Sequence, residues 1–205
     1  MVAGEAVGFA AAMVVARGVV QWIGGEPGPG QWQDLFVISL SALAGAIEGA
    51  CLGLGQWCVL RRRFPELRAH VWILATMAGG ALAWVLGMSA GTHGPAQAPA
   101  MWVIAVVTVA SGLLLGGILG AFQGFVLRVY TAGAGRWVAA SALGWCIGLL
   151  FAYAGVALTP EPGLGVFNIT VMVASGAAMA LTPAVATGLV LADLEPRAKG
   201  RVAEG

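Results

Sequence analysis

Charge is what this chain has least of. Only 9% of its 205 residues are charged, against about 25% in soluble domains. Lysine is nearly absent, with Lys199 alone, and 10 basic residues face 9 acidic ones, so the chain carries none of the basic field that nucleic acid requires. Histidine is scarce too: His70 and His93 both fall in or beside connectors, which excludes a bis-histidine haem and a His-based metal site. The three cysteines, Cys51, Cys58 and Cys146, show no Cys-x-x-Cys spacing and read as apolar filling. A phosphate-cradling loop is missing, because Gly117 to Gly124 lies inside an apolar run rather than between a strand and a helix. No nucleophile, base and orienting group can be assembled from the remainder. The expectation is therefore no catalytic residue, no metal, no cofactor and no nucleic-acid partner.

What is present is apolar. Hydrophobic residues make up 60% of the chain and its mean hydropathy is +0.90. A bilayer crossing takes about 20 helical residues, and six stretches suffice, near 2–24, 35–60, 69–88, 101–127, 136–157 and 167–192. The connectors read as breaks, notably Gly24-Gly25-Glu26-Pro27-Gly28-Pro29-Gly30 and Thr159-Pro160-Glu161-Pro162-Gly163. The fold class expected is all-α: one polytopic membrane domain over 1–205 with six transmembrane helices.

Arginines set the expected orientation. Arg61, Arg62, Arg63 and Arg68 join segments two and three, Arg128 and Arg136 join four and five, and the connectors 25–34, 89–100 and 158–166 have no Lys or Arg. The positive-inside rule then places both termini in the cytoplasm, with a bacterial inner membrane as the host. Segment one lacks a basic leader region and carries Arg17 inside its apolar run, so it reads as a retained helix and not a cleaved signal. Trp22, Trp32 and Trp102 near one surface and Trp57, Trp72 and Trp137 near the other fit an aromatic belt.

The chain also repeats itself. Gly45, Gly49, Gly53 and Gln56, then Val59-Leu60-Arg61, return 67 residues later as Gly112, Gly116, Gly120 and Gln123, then Val126-Leu127-Arg128. A weaker third copy runs through Gly176, Ala180, Ala184 and Thr187, 64 residues on. Small residues at every fourth position form a flat face on which another helix can lie closely in lipid. A second matching element follows each ladder, Trp72-x3-Thr76-x2-Gly79 and Trp137-x3-Ser141-x2-Gly144, 65 residues apart. Each repeat is thus a pair of helices, and segments six and one would make a third pair. The expected arrangement is a pseudo-threefold bundle in which segments two, four and six meet through their ladders, surrounded by one, three and five; the rival is a row of hairpins without a central axis.

The run Gln56-Trp57-Cys58-Val59-Leu60-Arg61 at the end of a Gly ladder resembles a pattern of small polytopic bacterial membrane proteins, in which such a ladder runs into Gln-Trp-x-Val-Leu-Arg. The second copy has Gly124 for the Trp, and the third has Thr187 and Ala192 for the Gln and the Arg. The resemblance implies an architecture and no activity.

Polar groups at membrane depth are the candidate site. Glu48 lies mid-segment where its repeat equivalents are Leu115 and Met179. Arg17 sits about 22 Å and Glu48 about 18 Å from the cytoplasmic ends of their segments at about 1.5 Å per residue, which allows either a structural ion pair or an ion or ligand site. Gln56, Gln123 and Thr187 share one level and read as helix-linking polar contacts or a solute-coordinating ring. Arg61, Arg62, Arg63 and Arg128 read as topology determinants touching anionic lipid, and Pro183 as a break in backbone bonding. Three function classes follow. The leading expectation is a non-catalytic accessory or assembly subunit with membrane lipids and other membrane subunits as partners. The alternative is a small-solute transporter or channel, similar in size and helix number to the substrate-binding subunits of energy-coupling-factor vitamin transporters, with the segment from Gln21 to Asp34 as lid. A membrane enzyme is disfavoured.

Overall fold

In a computed structural model the described residues are 2, 3, 11, 31–92, 100–159 and 166–197. They form five helices: α1 (Gln31–Leu60), α2 (Ala69–Thr92), α3 (Met101–Leu127), α4 (Ala134–Leu158) and α5 (Val166–Asp193). All five are long and apolar enough to cross a membrane, so the described residues are all-α and consistent with an integral membrane protein. These helices match segments two to six. Segment one, with Arg17, lies outside the described residues apart from three positions. The helices reach four residues beyond the expected spans at two places, α1 beginning at Gln31, inside the expected 25–34 connector, and α2 running to Thr92, and α4 and α5 exceed theirs by one or two residues. Positions 31–34 are therefore helical backbone.

Each repeat is an antiparallel hairpin, α1 with α2 and α3 with α4. Here the structure corrects the expectation that the Gly ladders meet one another. A Cβ on Gly49 would stand 2.6 Å from the Thr76 carbonyl oxygen, and one on Gly45 would overlap the carbonyl of Gly80. In the second hairpin a Cβ on Gly112 would lie 2.5 Å from Cys146 Cα and one on Gly116 2.8 Å from the Ser141 carbonyl oxygen. Each ladder thus packs against the helix that follows it in the chain. The physical reason is the short connectors, 61–68 and 128–133, which hold consecutive helices side by side before any distant pair can compete. In the third ladder, a Cβ on Gly176 meets no described atom within 4 Å. Instead α5 lies on glycines of α4: Gly144 against Pro183, and Gly148 against the Met179 carbonyl oxygen and Thr182 Oγ1, each 2.9 Å from its added Cβ.

The segments that do point inward lie on the adjacent rows of α1, α3 and α5, in four layers about 6 Å apart, the rise of four helical residues. Glu48, Leu115 and Met179 form the first, Leu52, Leu119 and Pro183 the second, Gln56, Gln123 and Thr187 the third, and Leu60, Leu127 and Leu191 the fourth; of the twelve only Leu115 is not buried. The outward faces carry exposed apolar side chains such as Leu74, Phe125 and Leu189. Such faces are soluble in lipid tails and in nothing polar.

At the Arg-bearing end a dense cluster closes the bundle, built from Leu60, Phe64, Leu67, Trp72, Leu127, Trp137 and Leu194. Residues 194–197 lie across both connectors. The Leu194 carbonyl accepts from Arg63 Nε at 2.9 Å, Arg197 N donates to the Tyr130 carbonyl at 2.8 Å, and Pro196 bridges Thr131. Nothing in the sequence signalled this strap.

Candidate functional site

Two cavities lie along the inner rows. The larger, about 240 Å³, is walled by residues of all five described helices, among them Glu48, Trp84, Leu115, Trp145 and Met179. Its position follows from the first layer. Where Leu115 and Met179 present apolar side chains, α1 presents a carboxylate. Glu48 is 6% exposed, and Trp84 Nε1 donates to its Oε2 at 2.5 Å. The sequence singled out Glu48 for its depth but missed Trp84, which stands 36 residues later on the other arm of the hairpin and has Leu149 as its repeat equivalent. Arg17, the expected partner of Glu48, is outside the described residues.

The smaller cavity, about 10 Å³, lies one layer further toward the Arg-bearing end and is lined by Gln56, Ser141, Pro183 and Thr187 among others. That is the size of a single water site. Leu52 and Trp145 line both cavities, so an apolar partition separates the carboxylate from the polar layer.

The polar layer is hydrogen-bonded across the bundle. Gln123 Nε2 donates to Gln56 Oε1 at 2.7 Å and to Thr76 Oγ1 at 3.2 Å, while Gln123 Oε1 accepts from Trp137 Nε1 at 2.8 Å. Gln123 thereby ties both hairpins together. Thr187, the third member of the level, shares the small cavity with Gln56 and donates to the Pro183 carbonyl at 2.6 Å. The repeat is broken at one donor: Trp72, the equivalent of Trp137, packs edge-on against it at 5.7 Å between ring centroids, yet its buried Nε1 has no partner among the described residues. Gln56 Oε1, which the repeat would offer to Trp72, is taken by Gln123.

Pro183 has no N–H for the Met179 carbonyl. Thr182 Oγ1 supplies the lost donor, lying 3.0 Å from Met179 O and 2.9 Å from Gly144 O. The proline is thus a packing point, with its Cα against Gly144.

The described arginines stand apart from both cavities. Arg61 lies over the Trp57 ring at 4.9 Å, Arg128 over the Phe125 ring at 3.7 Å, and Arg136 pairs with Asp193 at 3.0 Å on the surface. Arg62 is exposed in the same connector. Among the described residues no three His, Cys, Asp or Glu come together as metal ligands would.

Fold and site together describe a class, helical chains with several membrane-length helices, here with an apolar chamber at mid-bundle and, among the described residues, one carboxylate in its wall. No protein-family model matches the chain, and no curated protein or solved structure matches it.

Proposed function

We propose that this is a non-catalytic membrane protein whose central chamber receives a small solute, the transporter-like alternative of the readings above. The observation that carries it is the 240 Å³ cavity walled by five helices. Binding sites for small molecules are concave and mostly apolar, with a few placed polar groups, and this chamber fits that description. A cavity of about 150 Å³ lined by apolar side chains holds benzene, so the chamber suits about ten non-hydrogen atoms. The accessory-subunit reading rests on the exposed apolar faces, which lipid covers equally well, and it leaves the chamber without a purpose.

A pseudo-threefold bundle is part of the proposal. Repeat-equivalent rows on three helices line one axis, and the third pair would set segment one against the ladder of α5 at Gly176. Positive-inside placement of Arg61, Arg62, Arg63 and Arg128 puts their end in the cytoplasm of a bacterial inner membrane, so the chamber lies above a cytoplasmic seal and would fill from the outer side. The test is saturable binding of benzene to the purified chain in lipid nanodiscs, read by tryptophan fluorescence, against Ala83→Phe, which puts a ring into the cavity wall. Saturable binding lost in Ala83→Phe supports the proposal. Absence of saturable binding, or binding indifferent to the substitution, would overturn it.

A further inference from the structure

The members of the polar layer differ in length. Gln56 and Gln123 have Thr187 as their third equivalent, a shorter side chain with no amide. Gln123 Nε2 donates to Thr76 Oγ1 of the preceding hairpin. The repeat equivalents of that pair are Thr187 and Ser141, and both line the small cavity of about 10 Å³. The cavity therefore lies where a longer side chain at 187 would carry its amide toward Ser141.

Hydrogen-bond polarity around this space is set from a distance. Trp137 Nε1 can only donate, so Gln123 faces it with Oε1 and presents Nε2 to Gln56. Gln56 meets that donor with its own Oε1. Its Nε2 is left with two hydrogens and no partner among the described residues, on a side chain that is 5% exposed and lines the cavity. Thr187 Oγ1 directs its hydrogen to the Pro183 carbonyl, and Ser141 Oγ directs its own to the Gly116 carbonyl. Each hydroxyl thus has only lone pairs left to offer. One donor and two acceptors around a space of this size match a water molecule, which can accept once and donate twice. A cation would meet the amide hydrogens and an anion the hydroxyl lone pairs, a mismatch made costly by the low dielectric.

We propose that the small cavity is a binding site for a single water molecule, which accepts from Gln56 Nε2 and donates to Thr187 Oγ1 and Ser141 Oγ. The water stands in for the amide that Thr187 lacks and joins α5 to the polar layer. One unbroken chain of hydrogen bonds then runs from Trp137 through Gln123, Gln56, the water and Thr187 to the Pro183 carbonyl. Every member is neutral, and Leu52 and Trp145 stand between the site and the larger chamber. The inference is independent of what that chamber receives.

The test is the rotating-frame Overhauser effect between water and the Gln56 side-chain amide protons, measured on the full chain in nanodiscs and assigned by loss of the resonance in Gln56→Leu. A water held at hydrogen-bond distance, about 3 Å, should give a cross-peak with the sign of dipolar contact rather than of proton exchange. Thr187→Ser should keep it. Thr187→Gln, whose amide refills the space, should abolish it. Absence of a dipolar cross-peak in the unaltered chain would overturn the proposal, as would one that survives in folded Thr187→Gln. Should that variant not fold, Thr187→Val takes its place, keeping the side chain's shape while removing one acceptor. It should weaken the cross-peak about twofold or more, and an undiminished peak would overturn the assignment.

Discussion

Gln123→Leu is the substitution that separates a hydrogen-bonded inner layer from one held by packing alone. The side chain is fully buried, leucine is close to it in volume, and three bonds vanish at once: those to Gln56 Oε1, to Thr76 Oγ1 and from Trp137 Nε1. Trp137 Nε1 and Gln56 Oε1 would then be stranded in a region that water does not readily reach. Stranded buried groups cost about 1–3 kcal/mol each in soluble proteins, while interhelical polar contacts in a membrane average about 0.6 kcal/mol; the expected loss is about 2–3 kcal/mol. Gln56→Leu should cost less, under about 1 kcal/mol, because Gln123 Nε2 keeps the Thr76 hydroxyl and Trp137 keeps its acceptor. Reversible unfolding in mixed micelles measures both, and the double mutant gives their coupling. Equal losses, or the larger loss in Gln56→Leu, would refute the view that Gln123 is the hub of the layer.

Gly49→Leu and Gly116→Leu should each reduce folded yield and lower Tm by several degrees, since even a Cβ would meet helix backbone closely; Gly135→Ala, with nothing within 4 Å of its added Cβ, should stay within about 0.5 kcal/mol of the parent. Trp137→Phe should destabilise by about 1 kcal/mol more than Trp72→Phe, because of the two only Trp137 has a partner for its N–H among the described residues; the same micelle titration compares them. Leu194→Ala should cost about 2–4 kcal/mol and raise proteolysis of the 61–68 connector, as the side chain is 1% exposed and seals the Arg-bearing end; unchanged proteolysis would mean the strap does not hold that end.

Much of the fold was legible because lipid is an undemanding partner. Apolar runs of sufficient length gave five helices at close to their observed bounds, and the 67-residue repeat announced the paired hairpins. The ladders were legible as close-packing faces but not as to what they face, since a row of Gly45, Gly49 and Gly53 states how near a neighbour can come and not which neighbour it is. The short connectors held that information. Glu48, Gln56, Gln123 and Thr187 were visible as polar exceptions, and the shared inward row was implicit in the eight residues, about two turns, between Glu48 and Gln56. Trp84 was hidden by its own plausibility, because a tryptophan in an apolar helix is unremarkable until its repeat equivalent, Leu149, is set beside it. The strap at 194–197 had no signal: its contacts are made through backbone carbonyls and amides, which every residue possesses.

That strap sets a clock. Arg63 finds its acceptor 131 residues later in the chain, and at about 5–20 residues per second of synthesis it waits roughly 7–26 s before Leu194 exists. During that interval Leu60, Phe64 and Leu67 have no lid, and the nascent helices must be shielded by lipid, by the insertion machinery or by one another. Premature termination just before Leu194 would therefore release a protein with its described membrane spans made and its inner face unfinished, a substrate well suited to quality-control proteolysis from the side on which the arginines lie.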